Sequence, residues 1–325
     1  MTATAWTAGF PVEAGLPQTV RKDPPGFHEA IWTWGYDPSA RVGWYLYLLH
    51  DIEDEALRRE VVTLYLPDGT ILQGGGQGRS SHGRIAAGDH LELECVEPFR
   101  RWETRYDGAV APVSWDGEGT SGDPVPVRLR FSMEAATPAW NVEGDWGEPP
   151  PNMRFHQLYR IAGDVEVGEL RTPLSGSTMR GHSRRERDLS AYTGHVLATA
   201  LLDDGSAFGM FCFFGDAAEL RLDHGYVVID GNLHEARVVE VPLIERAQRS
   251  GEPLRFVLTG DFGTAVVTGE SIVTTYGVRT TGPQAGLATS MGIARYEWNG
   301  RVGYGPIDRS HRMPAPTRTQ TEGSP

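Results

Sequence analysis

The chain has 325 residues, 39% of them hydrophobic, with 9 Trp, 11 Tyr and 11 Phe. That suffices for an aromatic-rich core in two ordinary domains or one large β domain, and it excludes global disorder. A net charge of -13 argues against nucleic acid and anionic membrane surfaces as partners, since both select basic faces. No apolar run approaches the roughly 20 residues of a bilayer span. Met1 to Ala14 lacks the basic and apolar regions of a secretory signal, so a cytoplasmic protein is expected. Cys95 and Cys212 sit in apolar, strand-like contexts and read as buried reduced thiols, with one long-range disulfide as the alternative.

Residues 1–25 mix Pro, Gly and small side chains and read as a loosely held arm. A first β domain is expected over residues 26–140. His28 to Tyr36 and Val42 to Leu48 form a hairpin around Asp37-Pro38-Ser39-Ala40. Trp32 and Trp34 share one face of the first strand, because strand side chains repeat every two residues, and packing is favoured over an exposed aromatic strip. Val61 to Leu66 and Ile71 to Gln73 flank the turn Pro67-Asp68-Gly69-Thr70. Gly74 to Gly78 lacks the Lys-Ser/Thr of a phosphate loop and reads as a bulged turn. Strands follow at His90 to Val96, Trp102 to Tyr106 and Val125 to Met133, the last alternating almost strictly.

Residues 141–152 read as a linker, and 153–312 as a second β domain. Strands are expected near Val165 to Leu170, Val196 to Leu202, Ala207 to Phe214, Glu219 to Leu222, Tyr226 to Ile229, Glu235 to Val241, Leu254 to Leu258, Thr264 to Ile272 and Gly292 to Trp298. Asp203 to Ser206, Asp230-Gly231-Asn232 and Asn299-Gly300 are hairpin turns. Asp54 to Glu60 and Ile244 to Gln248 are each long enough for a helical turn or two. The tail, 313–325, reads as disordered. The expectation is an all-β chain of two tandem antiparallel barrels or sandwiches with little helix.

Three places carry a family resemblance. The first is the opening hairpin, with Asp37 and Val42-Gly43. The second is His156 followed by Gly163 to Gly168, Gly181 and Arg187-Asp188-Leu189-Ser190; the third is Arg295 to Gly305. In this order they resemble a family of two lipocalin-like barrels related to carotenoid 1,2-hydratases (hydroxyneurosporene synthases), tocopherol cyclases and fungal lipocalin-like Diels-Alderases. Uncharacterised actinobacterial members look most alike. Relatives continue past the Ser with Trp-Gly-x-Arg, whereas this chain reads Ala191-Tyr192-Thr193-Gly194-His195, which leaves Tyr192 or His195 to fill that space.

The resemblance implies cofactor-free acid-base chemistry on a hydrophobic, isoprenoid- or polyketide-like small molecule: hydration, dehydration, isomerisation or cyclisation. Asp188 would protonate an alkene, its pKa set by desolvation against the Arg187 guanidinium, and aromatic faces would stabilise the carbocation. The plainer alternative makes Arg187 and Asp188 a structural ion pair. His156 is a candidate base; Trp34, Tyr159, His182, Tyr192 and Tyr304 are candidate substrate contacts, with Asp308 a further polar candidate near a barrel mouth. His156 and Tyr159 are an odd number apart, so in a strand they face opposite ways. Gly181-His182-Ser183-Arg184-Arg185 fails the nucleophile elbow at its last position. With no His-Glu-x-x-His, no His-x-His and no Cys-x-x-Cys, a dedicated zinc site is not expected, a non-local His and carboxylate set staying open, and the resemblance implies no cofactor. The rival functions are a carrier for a lipophilic ligand and a carbohydrate-active β protein; a homo-oligomer is left open.

Overall fold

The computed structural model describes residues 6–17, 27–50, 58–78, 80–116, 119, 122–142, 153–186, 193–214, 220–280 and 285–312. The first group of strands is β1 (Phe27–Asp37), β2 (Val42–His50), β3 (Arg58–Tyr65), β4 (Ile71–Gly78), β5 (Ser80–His82), β6 (Ile85–Ala87), β7 (Leu91–Glu97), β8 (Arg101–Val113), β9 (Val125–Ala135), β10 (Trp140–Asn141), β11 (Met153–Val167), β12 (Leu170–Leu174) and β13 (Ser177–Glu186). The second is β14 (Gly194–Leu202), β15 (Ala207–Phe214), β16 (Leu220–Ile229), β17 (Asn232–Glu240), β18 (Pro253–Gly260), β19 (Gly263–Val278), β20 (Leu287–Trp298) and β21 (Arg301–Arg312). The chain is all-β, as its alternation and turn chemistry imply.

β14 to β21 form a closed antiparallel barrel in sequence order. Its hairpins turn where expected: Asp230 and Gly231, then Asn299 and Gly300, take positive φ, the backbone that two-residue hairpin loops require. The first thirteen strands form one sheet. β9 bridges β8 and β11, and β13 bridges β11 and β1, so β1, β2, β3, β4, β8, β9, β11 and β13 close a ring. Residues 153–186, grouped by sequence pattern with the second half, thus hydrogen-bond to first-half strands. The second barrel opens at Gly194.

Each barrel has its own core. Trp44, Leu46, Leu64, Trp102, Phe131 and Tyr159 pack inside the first, and Phe208, Met210, Phe256, Val267, Tyr296 and Ile307 inside the second. Cys95 and Cys212 lie one in each core as free thiols. Burial pushes the Cys95 thiol up to about 11, out of reach of ready ionisation. A third apolar cluster joins the outer faces: Trp32, Trp34, Tyr36, Trp140 and Leu158 from the first barrel against Leu197, Leu201, Phe211, Tyr226 and Ile293 from the second. This seam is where Trp32 and Trp34 pack.

Several local expectations change. Gly74 to Gly78 runs within β4, not a turn, because a Cβ at Gly75 or Gly76 would collide with Glu60 of the neighbouring β3. Val165 to Leu170 is not one strand: Gly168 takes positive φ and turns β11 into β12. Arg58 to Glu60 belong to β3, Ile244 to Gln248 is irregular, and the two expected strands over 219–229 are the single β16. The described part of the arm is firmly held, with Phe10 on Phe155, Gly15 against Phe99 and the Ala139 amide donating to the Trp6 carbonyl. Of the linker, Asn141 pairs to β11 within β10 and the Val142 amide donates to the Arg154 carbonyl; residues 143–152 and the tail lie outside the described residues.

Candidate active site between the two barrels

The registers of β2, β1, β13, β11 and β10 place Tyr47, Trp32, Gly181, His156 and Trp140 in one row across five strands. Directly opposed residues on paired strands share a face, so the whole row points toward the second barrel. Gly181 is the short step in it. A Cβ there would sit 2.1 Å from the Trp32 ring, so only glycine lets that indole cross β13 and meet His156 edge-on, ring centroids 5.6 Å apart. Trp140 closes the other side of His156 at 5.7 Å, and Phe211 of the second barrel approaches at 6.1 Å. Arg154, on the same face two residues before His156, lays its guanidinium 3.7 Å from the Phe211 centroid and 5.7 Å from that of Trp32.

His156 is therefore fully enclosed by aromatic rings and a cation. Desolvation, with the Arg154 charge adding to it, holds its imidazole well below the ordinary histidine range, so it is neutral. Its Nε2 is buried without a hydrogen-bond partner among the described residues, as is Trp34 Nε1.

The second barrel contributes a titratable group to the same seam. Because β14 and β21 close that barrel, His195 lies opposite Ser310, and Asp308 lies opposite Leu197. His195 Nε2 donates to Asp308 Oδ2 at 2.8 Å, and Ser310 Oγ donates to His195 Nδ1 at 2.8 Å. The carboxylate fixes the Nε2–H tautomer and leaves Nδ1 to accept from the serine. His195 and Asp308 side chains keep 18% and 17% exposure, unlike the sealed His156. The His195 ring lies 5.9 Å from Phe211 and 6.5 Å from Phe213. The array can hold and pass a proton beside an aromatic wall.

The structure divides the expected site residues. His156, Trp34 and Tyr304 lie on the seam, where Tyr304 faces Tyr36 at 5.5 Å and Trp34 faces Tyr45 at 4.7 Å. Tyr159 and His182 point the other way, into the first barrel. There His182 Nε2 donates to Glu29 at 2.9 Å, both side chains sealed from solvent, and Tyr159 donates to Gln157 Oε1 at 2.6 Å. Arg180 covers Trp102 beside them at 3.7 Å. This packed polar network braces the barrel interior on the opposite side of the sheet from the seam. Arg187, Asp188 and Tyr192 lie outside the described residues.

Arg154 and the pairing of His195 with Asp308 escaped the sequence reading. The signal for the first is parity: 154 and 156 share a strand face. The signal for the second is barrel closure, which makes the first and last strands neighbours. Among the described residues no group of three or more His, Cys, Asp and Glu is placed to hold a metal ion, and no helix is long and apolar enough to cross a membrane.

A family model, a domain of unknown function (DUF7064), matches residues 12–312, and the chain belongs to that family. No curated protein matches it. Solved structures of similar fold include a Nitrosomonas europaea protein (NE1406) provisionally named AttH, 14% identical with a TM-score of 0.58 over 92% of this chain and 99% of that one. CghA, solved with Sch210972, is 10% identical with a TM-score of 0.57 over 89% of each chain. Kievitone hydratase from Nectria haematococca is 10% identical with a TM-score of 0.52 over 88% of this chain and 89% of that one. At such identities the likeness is one of fold.

Proposed function

We propose that this DUF7064 member is a cofactor-independent enzyme, of lyase or cyclase type, acting on a hydrophobic small molecule held at the seam between its barrels. The observation that carries the proposal is the His195–Asp308 pair: the described carboxylate–imidazole couple that is partly open at an aromatic seam to which both barrels contribute. Such a pair supplies general acid-base catalysis, worth about 10²–10⁴-fold when correctly placed. Asp308 Oδ2 is committed to His195, so its second oxygen is the atom to exchange a proton with the ligand, while His195 positions and polarises the carboxylate. Ser310 holds the imidazole from behind. Kievitone hydratase, whose name states water addition, shares the fold and supports a hydration, dehydration or cyclisation reading.

The expected donor Asp188, beside Arg187, remains part of the proposal as a second carboxylate. The test incubates the protein in D₂O with isoprenoid and polyketide-like compounds and reads deuterium uptake, gain or loss of one water, or isomerisation by mass spectrometry. Asp308→Asn is expected to abolish the activity with the fold intact. Full activity in that variant, with loss in Asp188→Asn, would move the proton donor to Asp188. Binding with no conversion of any compound would leave a carrier.

A further inference from the structure

The first barrel sends a hydroxyl toward the acid-base pair of the second. Tyr65 ends β3 opposite Gly43, which lies opposite Tyr36 on β1, and both tyrosines belong to the seam. A Cβ at Gly43 would sit 2.9 Å from Ile293 Cγ1 and 3.1 Å from Tyr65 Cδ2, so the missing side chain lets the phenol ring and Ile293 of β20 share that space. Ile293 is two residues along β20 from Met291, on the same face, and Met291 lies directly opposite Asp308. Tyr65 therefore stands beside Asp308 across the seam. It is 2% exposed, and its hydroxyl makes no hydrogen bond among the described residues. Buried phenols usually find a partner. Desolvation, with the Asp308 charge adding to it, pushes the Tyr65 phenol up, so it stays protonated and is a donor. Asp308 Oδ2 accepts from His195, which leaves one carboxylate oxygen and one phenol O–H side by side with no bond between them.

Resting on the seam reading, we infer that the ligand is a neutral carbonyl compound, a ketone or enone on an apolar body, and that Tyr65 is a catalytic residue donating to its oxygen. Asp308 then works at the adjacent carbon. Its carboxylate takes the α proton, the C–H electron pair becomes the C=C bond of an enolate, and the carbonyl π pair moves to the oxygen under the Tyr65 O–H. When the enolate expels a β-hydroxyl, the C–O pair leaves with that oxygen, which takes the proton back from Asp308 as water and leaves an enone. The reverse is hydration. A hydrocarbon gives Tyr65 nothing to bind, and a carboxylate in its place would face the Asp308 charge.

The test uses 6-propionyl-2-(dimethylamino)naphthalene, a neutral ketone dye whose emission moves to the red when its carbonyl accepts a hydrogen bond. N-phenyl-1-naphthylamine, which has no carbonyl, is the control. Tyr65→Phe removes the hydroxyl and keeps the ring, and urea midpoints check that the fold is intact. It should move the bound ketone dye to the blue and weaken it about three- to tenfold, with the control dye within about twofold. In D₂O wild type should exchange the α hydrogens of the ketone dye, read by mass spectrometry. Asp308→Asn should stop the exchange and keep the red emission, and Tyr65→Phe should slow it about 10²-fold or more. No exchange by wild type, or emission and exchange unchanged in Tyr65→Phe, overturns the inference while leaving the seam reading standing. Met291→Trp, which fills the seam opposite Asp308, should remove both dyes. If wild type binds neither dye, or if Met291→Trp leaves both bound, the seam reading fails and this inference falls with it.

Discussion

Burial beside Arg154 holds His156 neutral, and that has a consequence for stability as well as for chemistry. A histidine in the unfolded chain titrates near about 6.5, whereas the native imidazole titrates well below it. Between those two values the unfolded chain binds more protons, so stability rises with pH through the window and falls as pH drops below about 6.5. His156→Phe removes that proton uptake. The stability lost between about pH 7 and about pH 5 should shrink, by up to about 1.4 kcal/mol per pH unit of the window. Urea midpoints at the two pH values measure it, and an unchanged slope would mean that His156 is charged in the native state. His311, also lowered by burial and by Arg309, keeps part of the slope in place. The same surroundings bear on the expected carbocation. A positive centre about 6 Å from the Arg154 guanidinium is disfavoured by about 3 kcal/mol at an effective dielectric of about 20. The opposite orientations of His156 and Tyr159 were legible from their odd spacing. The company each keeps was not, since Trp32 and Phe211 arrive from 124 residues before and 55 after His156 in the sequence.

At the scale of strands, β13 shows how one missing side chain builds the seam. Gly181 stands between Trp32 of β1 and His156 of β11, and the indole occupies the space that a Cβ would take. Gly181→Ala must push Trp32 off β13, separate it from His156 and disturb the stack with Arg154. The cost should be about 1–3 kcal/mol, as for overpacking elsewhere. Near-UV circular dichroism should lose aromatic signal, whereas Gly300→Ala, at a turn where a Cβ meets nothing within 4 Å, should leave the seam signal alone and cost only its positive-φ strain. Equal loss of seam signals in both variants would refute a packing role specific to Gly181. The turns of β16–β17 and β20–β21 were readable because Asp-Gly and Asn-Gly carry the positive-φ preference in two adjacent residues. The purpose of Gly181 was not readable, for it depends on a tryptophan 149 positions away. Gly74 to Gly76 were misread for the same reason: Gly74 accommodates Val110 and Ala109 of β8, and Gly75 and Gly76 accommodate Glu60 of β3.

For the whole molecule, the ring closure of the first barrel decides where the chain divides. β11 supplies Phe155 and Tyr159 to the first core, and β13 supplies Arg180 and His182 to its interior, so both strands belong to that barrel energetically as well as topologically. Sequence pattern set the boundary at 141–152, where Pro, Gly and acidic residues cluster, because composition registers a break in local pattern and not a strand partner about 150 residues back, as β1 is to β13. His195 and Asp308 were separately visible as polar strand residues, yet their union spans 113 positions and follows only from closure of the second barrel. A fragment 1–186 therefore contains all eight strands of the first ring and should unfold cooperatively in urea when expressed alone, with its outer apolar face exposed. A fragment 1–142 lacks β11 and β13, two of the eight, and should not. Because His156 comes from one barrel and His195 and Asp308 from the other, neither 1–186 nor 194–325 alone should show the proton exchange or conversion of the intact chain. Mixing them should restore it through the seam cluster. Cooperative folding of 1–142 with no gain in 1–186 would return the boundary to 141–152, and conversion by either fragment alone would remove the seam as the place where the two barrels make one site.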